Sequence, residues 1–209
     1  MPGKAIVLVF KTSEEAVRFA CLLEKVLEGE RVEFVVKGNR VRVFTLRGAD
    51  DPTQLLGRVK QLYRYWRMST SIKKGLYCHP LPLIFMLAEL EISIPANCIA
   101  NTLILMGRKA KIEGSNLLTE TPLDVVIDVT ERVSRAYKSA VMLNATPLLK
   151  RLVACLAAAK GVGVEEALEL LGKLGIGAYD EDQGRWILKV SEEEALERLR
   201  NIKPALNQG

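Results

Sequence analysis

The stretch "RVEFVVKGNRVRVFTL", residues 31–46, decides the fold of the N-terminal part of this chain. Two runs in which apolar residues alternate with charged ones flank the pair Gly38-Asn39. Alternation of this kind is typical of strands with one buried and one open face. Because a two-residue hairpin turn needs positive φ angles, which Gly and Asn supply, the stretch predicts a β-hairpin with its valines buried and its cations in solvent.

The sequence on either side of the hairpin completes a β-α-β-β-α unit. The run "KAIVLVF" (4–10) is apolar throughout, which predicts a covered, central strand. Thr12 and Glu15 form a capping-box pattern at the start of a helix over about 13–28. An Asp-Pro pair then starts a second helix near residue 52, since proline at the first helical position loses no hydrogen bond.

The rest of the chain predicts two further units. Residues 76–145 combine short buried helices with a hairpin around Gly114, and residues 146–209 follow the order helix, helix, hairpin, helix. That last order resembles a winged-helix arrangement. The predicted fold class is therefore α+β, with a basic β-α-β-β-α domain at 1–75, a central helical and hairpin unit at 76–145, and a C-terminal winged-helix-like α-α-β-β-α unit at 146–209.

Composition places the chain among folded globular proteins. Of its 209 residues 49% are hydrophobic and 26% are charged. Its apolar runs are shorter than the roughly 20 residues that a membrane helix needs, and no signal segment opens the sequence. We therefore expect a cytoplasmic protein without a membrane partner.

Charge is distributed unevenly along the chain. Residues 1–75 hold 15 Lys/Arg against 8 Asp/Glu, whereas residues 161–209 hold 6 against 10. Because a concentration of one charge sign attracts partners of the other sign, the N-terminal end is expected to meet an anion. The acidic C-terminal unit suits a basic protein partner.

Residues that could support catalysis or bind a metal are scarce. The cysteines Cys21, Cys78, Cys98 and Cys155 lie far apart without C-x-x-C spacing, which argues against zinc and redox motifs and favours buried free thiols. His79 is the only histidine, so no second imidazole completes a ligand set, and a loop or half-buried histidine is expected. The sequence predicts no metal, no cofactor and no enzyme activity.

The cations of the first unit form the candidate nucleic-acid site. Strand alternation places Arg31, Lys37, Arg40 and Arg42 on one sheet face. The second helix adds Arg58, Lys60, Arg64, Tyr65 and Arg67 off its apolar stripe, and Lys73 and Lys74 follow in a predicted connector that contains Ser69, Thr70 and Ser71.

Such a set of cations, hydroxyls and an exposed aromatic suits phosphate and base contacts. The alternative interpretation is a helix with a basic C-terminus that complements the macrodipole. That interpretation explains only Arg64 and Arg67, so RNA binding is favoured. RNA is preferred to DNA because no helix forms an obvious major-groove reader.

Three segments of the first unit carry a resemblance: "FKTSEEAVRFACLLEKVL", "RVEFVVKGNRVRVFTL" and "LLGRVKQLYRYWR". They resemble the small dimeric subunit of the archaeal and eukaryotic complex that makes threonylcarbamoyladenosine on tRNA. The likeness covers about the first 70 residues. It implies a β-α-β-β-α fold, a dimer and membership of a tRNA-modification complex.

Taken whole, the chain resembles a conserved archaeal protein family of unknown function. Members are near 200 residues long and carry a strand of the type seen in "MGRKAKIEGSNLLTETPLDVV" (106–126). The resemblance implies an archaeal source and assigns no site residue.

The leading functional hypothesis is a non-catalytic RNA-binding protein that associates with ribosomal subunits and docks on rRNA. Its further form is a factor that inhibits translation, as hibernation factors do. Ribosomal proteins would be further partners. Two alternatives stay open: an accessory subunit of a tRNA-modification complex, and a DNA-binding transcription regulator that uses the C-terminal unit. The oligomeric state is left open.

Overall fold

The computed structural model of the chain describes residues 4–46 and 51–201. Over this part the fold is α+β, as predicted, with small antiparallel sheets and helices in each of two compact units, Met1–Ser71 and Ile72–Gly209. The sequence predicts three domains with the first boundary at residue 75. The second unit of the structure contains both the predicted central domain (76–145) and the predicted C-terminal domain (146–209).

The first unit has the predicted element order. Its elements are β1 (Ala5–Val9), α1 (Ser13–Val26), β2 (Val32–Lys37), β3 (Arg40–Thr45) and α2 (Pro52–Ser69). The strands form one sheet in the order β1-β3-β2, and each neighbouring pair is antiparallel. β3 is therefore the central strand.

Two details of this sheet differ from the predictions. β1 lies at an edge of the sheet with one open face, so the prediction of a covered, central strand is wrong. In the hairpin turn Gly38 has a positive φ of +57°, whereas Asn39 has a negative φ. Glycine at the first central position of a two-residue turn is enough to match the twist of the two strands.

Both helices of the first unit pack on the same face of the sheet. α1 contacts β2 and β3, and α2 contacts β1 and β3. Between these layers Phe19 is fully buried, and its ring centroid lies 5.1 Å from that of Phe10 and 5.8 Å from that of Trp66. These rings pack with buried aliphatic side chains of both helices and of β3, among them Leu23, Val41 and Val59, to form the core of this unit.

The end of α2 differs from the predicted connector. The helix continues through Ser69, whose side chain is buried. Thr70 then donates to the carbonyl of Trp66 (3.0 Å), and Ser71 donates to the carbonyl of Arg67 (2.7 Å). The hydroxyls thus satisfy carbonyl groups that a helix end leaves free, so the stretch is ordered by its own side chains.

The second unit alternates short sheets and helices. Its elements are β4 (Ile72–Lys73), β5 (Leu76–Pro80), α3 (Leu81–Leu87), α4 (Ala96–Leu105), β6 (Ala110–Glu113), β7 (Asn116–Thr119), α5 (Leu123–Ala140), α6 (Pro147–Lys160), α7 (Val164–Lys173), β8 (Gly177–Asp180), β9 (Arg185–Leu188) and α8 (Glu192–Arg200). The strands form a four-stranded sheet in the order β4-β5-β7-β6 and the hairpin β8-β9.

α6 is the centre of the second unit. Its middle is apolar on every side, with Leu152, Val153, Cys155 and Leu156 at most 2% exposed, and it packs against α4, α5 and α7. The hydrophobic core around it runs from Ile84 to Leu199. The residues of the predicted central and C-terminal units therefore contribute to one continuous core.

None of the described helices combines the length and the hydropathy that crossing a lipid bilayer requires.

Candidate nucleic-acid interface

The helix-free face of the first sheet is the centre of the candidate interface. Strand pairing arranges its outward side chains in three rows across β1, β3 and β2. The rows are Ala5–Phe44–Glu33, Val7–Arg42–Val35 and Val9–Arg40–Lys37. We call these nine residues the open sheet face.

Cations and apolar side chains share this face. Lys37, Arg40 and Arg42 are all exposed, and among the described residues none of the three forms an ion pair. The guanidinium carbon of Arg42 lies 4.7 Å from the centroid of the Phe44 ring. Glu33 is the only acid of the face, so its net charge is positive.

Three valines are exposed on the same face to a degree that is unusual for strand residues. Val7 is 54%, Val9 is 47% and Val35 is 55% exposed. Neither these valines nor Phe44 were predicted to belong to the site. The valines of β1 lie two residues apart and opposite the arginines of β3, a spacing that indicates one shared face. The apolar character of β1, however, predicts burial on both faces. Val7 and Val9 are neighbours on β1, and Arg42 lies between Val7 and Val35, so the face mixes exposed apolar and cationic side chains, a composition that favours an interaction site.

Arg31 lies immediately before β2 and is exposed. Its carbonyl accepts a hydrogen bond from the N–H of Leu46 (2.9 Å), which continues the hairpin ladder by one residue beyond β2. The predicted cations Arg31, Lys37, Arg40 and Arg42 thus all belong to the hairpin.

The cations of α2 lie on the outward side of that helix. Lys60 and Arg64 are exposed and form no ion pair with any described residue, whereas Arg58 forms an ion pair with Glu30. Since α2 packs its other side on the sheet, its outward cations and the open sheet face lie on opposite sides of the first unit.

The two remaining α2 candidates are held by neighbouring side chains. Arg67 donates to the hydroxyl of Tyr63 (3.1 Å), and its guanidinium lies over the Tyr63 ring. Tyr65 is half-buried, and its hydroxyl accepts a hydrogen bond from Gln61 (2.7 Å). Both side chains are less available to a ligand than Lys60 and Arg64.

Lys73 and Lys74 belong to the second unit. Lys73 ends β4 and Lys74 lies in the tight turn before β5, where its φ is +52°. The prediction that they sit in a connector is wrong, because they form part of a hairpin. The structure therefore distributes the predicted site over three places: the open sheet face with Arg31, the outer side of α2, and this turn.

His79 has no exposed surface. It lies in β5, so the expected loop or half-buried histidine is wrong. Its Nε2 donates to the carbonyl of Thr121 (2.8 Å), since a carbonyl can only accept. Burial lowers the pKa of His79, an effect that this hydrogen bond and the nearby Asp124 partly oppose. A buried neutral imidazole of this kind serves packing.

The thiols differ in exposure. Cys98 and Cys155 are buried as predicted, but Cys78 is half-buried and Cys21 is exposed, which contradicts the prediction for these two. Desolvation raises the pKa of the Cys78 thiol. A raised pKa suppresses the thiolate, so Cys78 lacks the activation that a nucleophile needs.

A surface groove of about 400 Å³ lies between α5 and the α6–α7 connection. Arg132, Arg135, Ser139 and Glu165 supply its polar lining. The Arg132 guanidinium is engaged by Asp128 at 2.9 Å. Within 4–46 and 51–201, no cluster of three or more His, Cys, Asp or Glu side chains could hold a metal ion.

Comparison with known proteins gives one family. The family described as "Uncharacterized protein conserved in archaea (DUF2067)" matches residues 8–197. No curated protein matches the sequence. Among solved structures, the a/eIF2alpha–aDim2p–rRNA complex from Pyrococcus horikoshii OT3 aligns with 81% of this chain and 93% of that chain, at 9% identity and a TM-score of 0.25. A TM-score this low carries no argument about fold or function.

Proposed function

The chain belongs to the DUF2067 family of proteins conserved in archaea, because the match spans residues 8–197, and on that premise we propose that it is a non-catalytic RNA-binding protein. The observation that carries the proposal is the open sheet face, where three exposed cations that form no ion pair with any described residue lie beside exposed apolar side chains. Cations that displace counterions supply most of the affinity for a nucleic acid.

Two further features support RNA as the partner. Lys60 and Arg64, which form no ion pair within the described part of the chain, add exposed cations on the far side of the same unit, so a large folded RNA could be contacted on more than one side. Glu33 is the only acid among the nine residues of the open sheet face, so the electrostatic potential of this face stays positive. We propose further that the RNA is ribosomal and that docking on a subunit interferes with translation.

Direct binding tests the proposal. The variant Lys37→Gln/Arg40→Gln/Arg42→Gln removes three charges from the open sheet face. A matched control, Arg108→Gln/Lys109→Gln/Lys160→Gln, removes three exposed charges from the second unit. We expect the first variant to weaken RNA binding and to lower the slope of log affinity against log salt by about 2, and the control to change neither. Equal behaviour of the two variants contradicts the proposal.

Ribosome docking has its own experiment. Native lysate is fractionated on sucrose gradients at low and at high salt, and each fraction is probed for the protein. Comigration with ribosomal subunits that is lost at high salt supports docking through phosphate contacts. If the protein remains at the top of both gradients, the ribosome-docking proposal is rejected. RNA binding is then decided by the direct binding assay.

The exposed valines favour a second candidate, an accessory subunit of a tRNA-modification complex. Apolar surface on an open sheet suits a second copy of the chain as well as a nucleic acid, and dimerisation is what the N-terminal resemblance implies. Sedimentation equilibrium over a hundredfold range of concentration distinguishes the candidates. A monomer throughout this range contradicts the second one.

A further inference from the structure

We infer that the open sheet face binds unpaired nucleotides of single-stranded RNA, with a base stacked on the Arg42–Phe44 pair. This inference rests on the proposed function and specifies its substrate: it distinguishes RNA strands with accessible base faces from RNA duplexes.

Arg42 is the central residue of the face. Val7 and Val35 flank it in the same row, and its guanidinium lies over the Phe44 ring of the adjacent row. The guanidinium carbon lies 4.7 Å from the ring centroid, and because Arg42 is exposed, its side chain also faces solvent, where a base can reach it. Arginine planes and aromatic rings are the groups on which proteins stack unpaired bases.

The apolar side chains select against a duplex. Val7, Val9 and Val35 are each about half exposed, and covering them with a flat apolar surface is favourable. In a double helix the base faces are stacked on one another, and an A-form duplex offers phosphates, riboses and base edges instead. A single strand can turn its bases to the valines while its phosphates lie beside the cations of the face.

The charge distribution determines which end of the open sheet face contacts the sugar-phosphate backbone of the RNA. Arg40 and Lys37 occupy the row with Val9, whereas Glu33 lies in the row with Phe44 at the opposite end. Phosphates are attracted to the first row and repelled from the second. The carboxylate of Glu33 can only accept hydrogen bonds, so it suits an exocyclic amino group of a base, which donates them.

The dimensions limit the ligand to a short segment. The outer rows are four residues apart along the strands, about 13 Å, and three strands span about 10 Å. A four-stranded sheet stacks two or three bases, so this face suits about two. Specificity for sequence is therefore expected to be low.

The test compares one labelled RNA strand with the same strand annealed to its complement, using the full chain at a single salt concentration. Arg42→Lys keeps the charge and removes the planar group, and Phe44→Leu keeps the apolar bulk and removes the ring. Arg108→Lys, at an exposed arginine of the second unit outside the candidate interface, is the matched control. We expect the single strand to bind at least about tenfold more tightly than the duplex. Each sheet variant should reduce single-strand affinity about tenfold, the control leaving it unchanged.

Three results overturn the inference in distinguishable ways. If duplex and single strand bind equally, or if Arg42→Lys binds like the wild type, the face contributes charge alone and the proposed function stands. If neither RNA binds, both fail. If sedimentation shows a dimer that Val35→Glu dissociates, the face is occupied by a second copy. Circular dichroism of each variant identifies any loss of affinity that arises from unfolding.

Discussion

The protonation of His79 is tied to folding. Its imidazole is fully buried, Nε2 is bonded to Thr121, and Nδ1 has no hydrogen-bond partner among the described residues. A proton on Nδ1 would create a buried charge without a partner, which is strongly unfavourable. The lowered pKa of His79 follows from that burial.

The sign of the resulting pH dependence is fixed. The native imidazole stays neutral where an unfolded one, with a pKa of about 6.5, takes up a proton. Below about pH 6.5 the unfolded state binds more protons, so the free energy of unfolding should decrease as the pH falls, by at most about 1.4 kcal/mol per pH unit, until the native pKa is reached. Denaturant unfolding of the second unit at pH 7 and pH 5.5 measures this.

The chain is suited to a direct control, because it contains a single histidine. The imidazole signals in an NMR titration therefore need no assignment. A midpoint clearly below 6.5 is expected for the folded protein, and a midpoint at or above 6.5 contradicts the account of His79.

At the scale of single elements, α1 shows what a capping box contributes. Thr12 accepts from the N–H of Glu15 (3.1 Å), while the Glu15 carboxylate accepts from the N–H of Lys11 (3.0 Å) and from the hydroxyl of Thr70 (3.3 Å). The same glutamate thus closes the start of α1 and contacts the end of α2. The pattern of Thr and Glu was visible in the sequence, but the contact with Thr70 was not.

Removal of the cap should be measurable. Thr12→Ala leaves the N–H of Glu15 without its acceptor, and we expect the first unit to lose about 1 kcal/mol of stability. Thr12→Ser keeps the oxygen and should stay within a few tenths of a kcal/mol of the wild type. Thermal unfolding followed by circular dichroism compares the three proteins, and equal loss in both variants would show that the methyl group matters instead.

Helix starts and hairpins were predictable because local side chains determine them. Thr12 caps α1, Pro52 begins α2, and Gly114 turns the β6–β7 hairpin, as predicted. The strand β5 was not predicted, because "LYCHPLPLIF" is apolar without alternation, and such a run does not distinguish a buried strand from a helix.

The candidate site shows the same limit. Alternation places Arg40 and Arg42 on one face correctly, since it needs only the strand itself. The edge position of β1 depends on a pairing between residues more than thirty positions apart, which no local pattern encodes. For that reason the valines of the open sheet face were missed while its arginines were found.

Across the whole molecule, stability is concentrated around α6. Leu156 is fully buried in the continuous core of the second unit. Leu156→Ala removes three buried carbon atoms and leaves a cavity in a close-packed region, so a loss of about 2–5 kcal/mol is expected. Met142→Ala, at a side chain that is 85% exposed, should stay within about 0.5 kcal/mol.

Chemical denaturation of the full chain measures both variants. Because the chain has two compact units, a second probe is needed to separate their transitions. An unchanged stability of Leu156→Ala would contradict the position of α6 at the centre of the core.

The edge position of β1 has a consequence for the newly synthesised chain. Ala5–Phe10 contains neither charge nor proline, a composition that promotes cross-β aggregation. Its partner among the described strands, β3, is made more than thirty residues later, so the segment leaves the ribosome before that partner exists. Lys4 and Lys11 bracket it on both sides. Flanking charges of this kind act as gatekeepers, whose mutual repulsion keeps nascent copies soluble until β3 arrives.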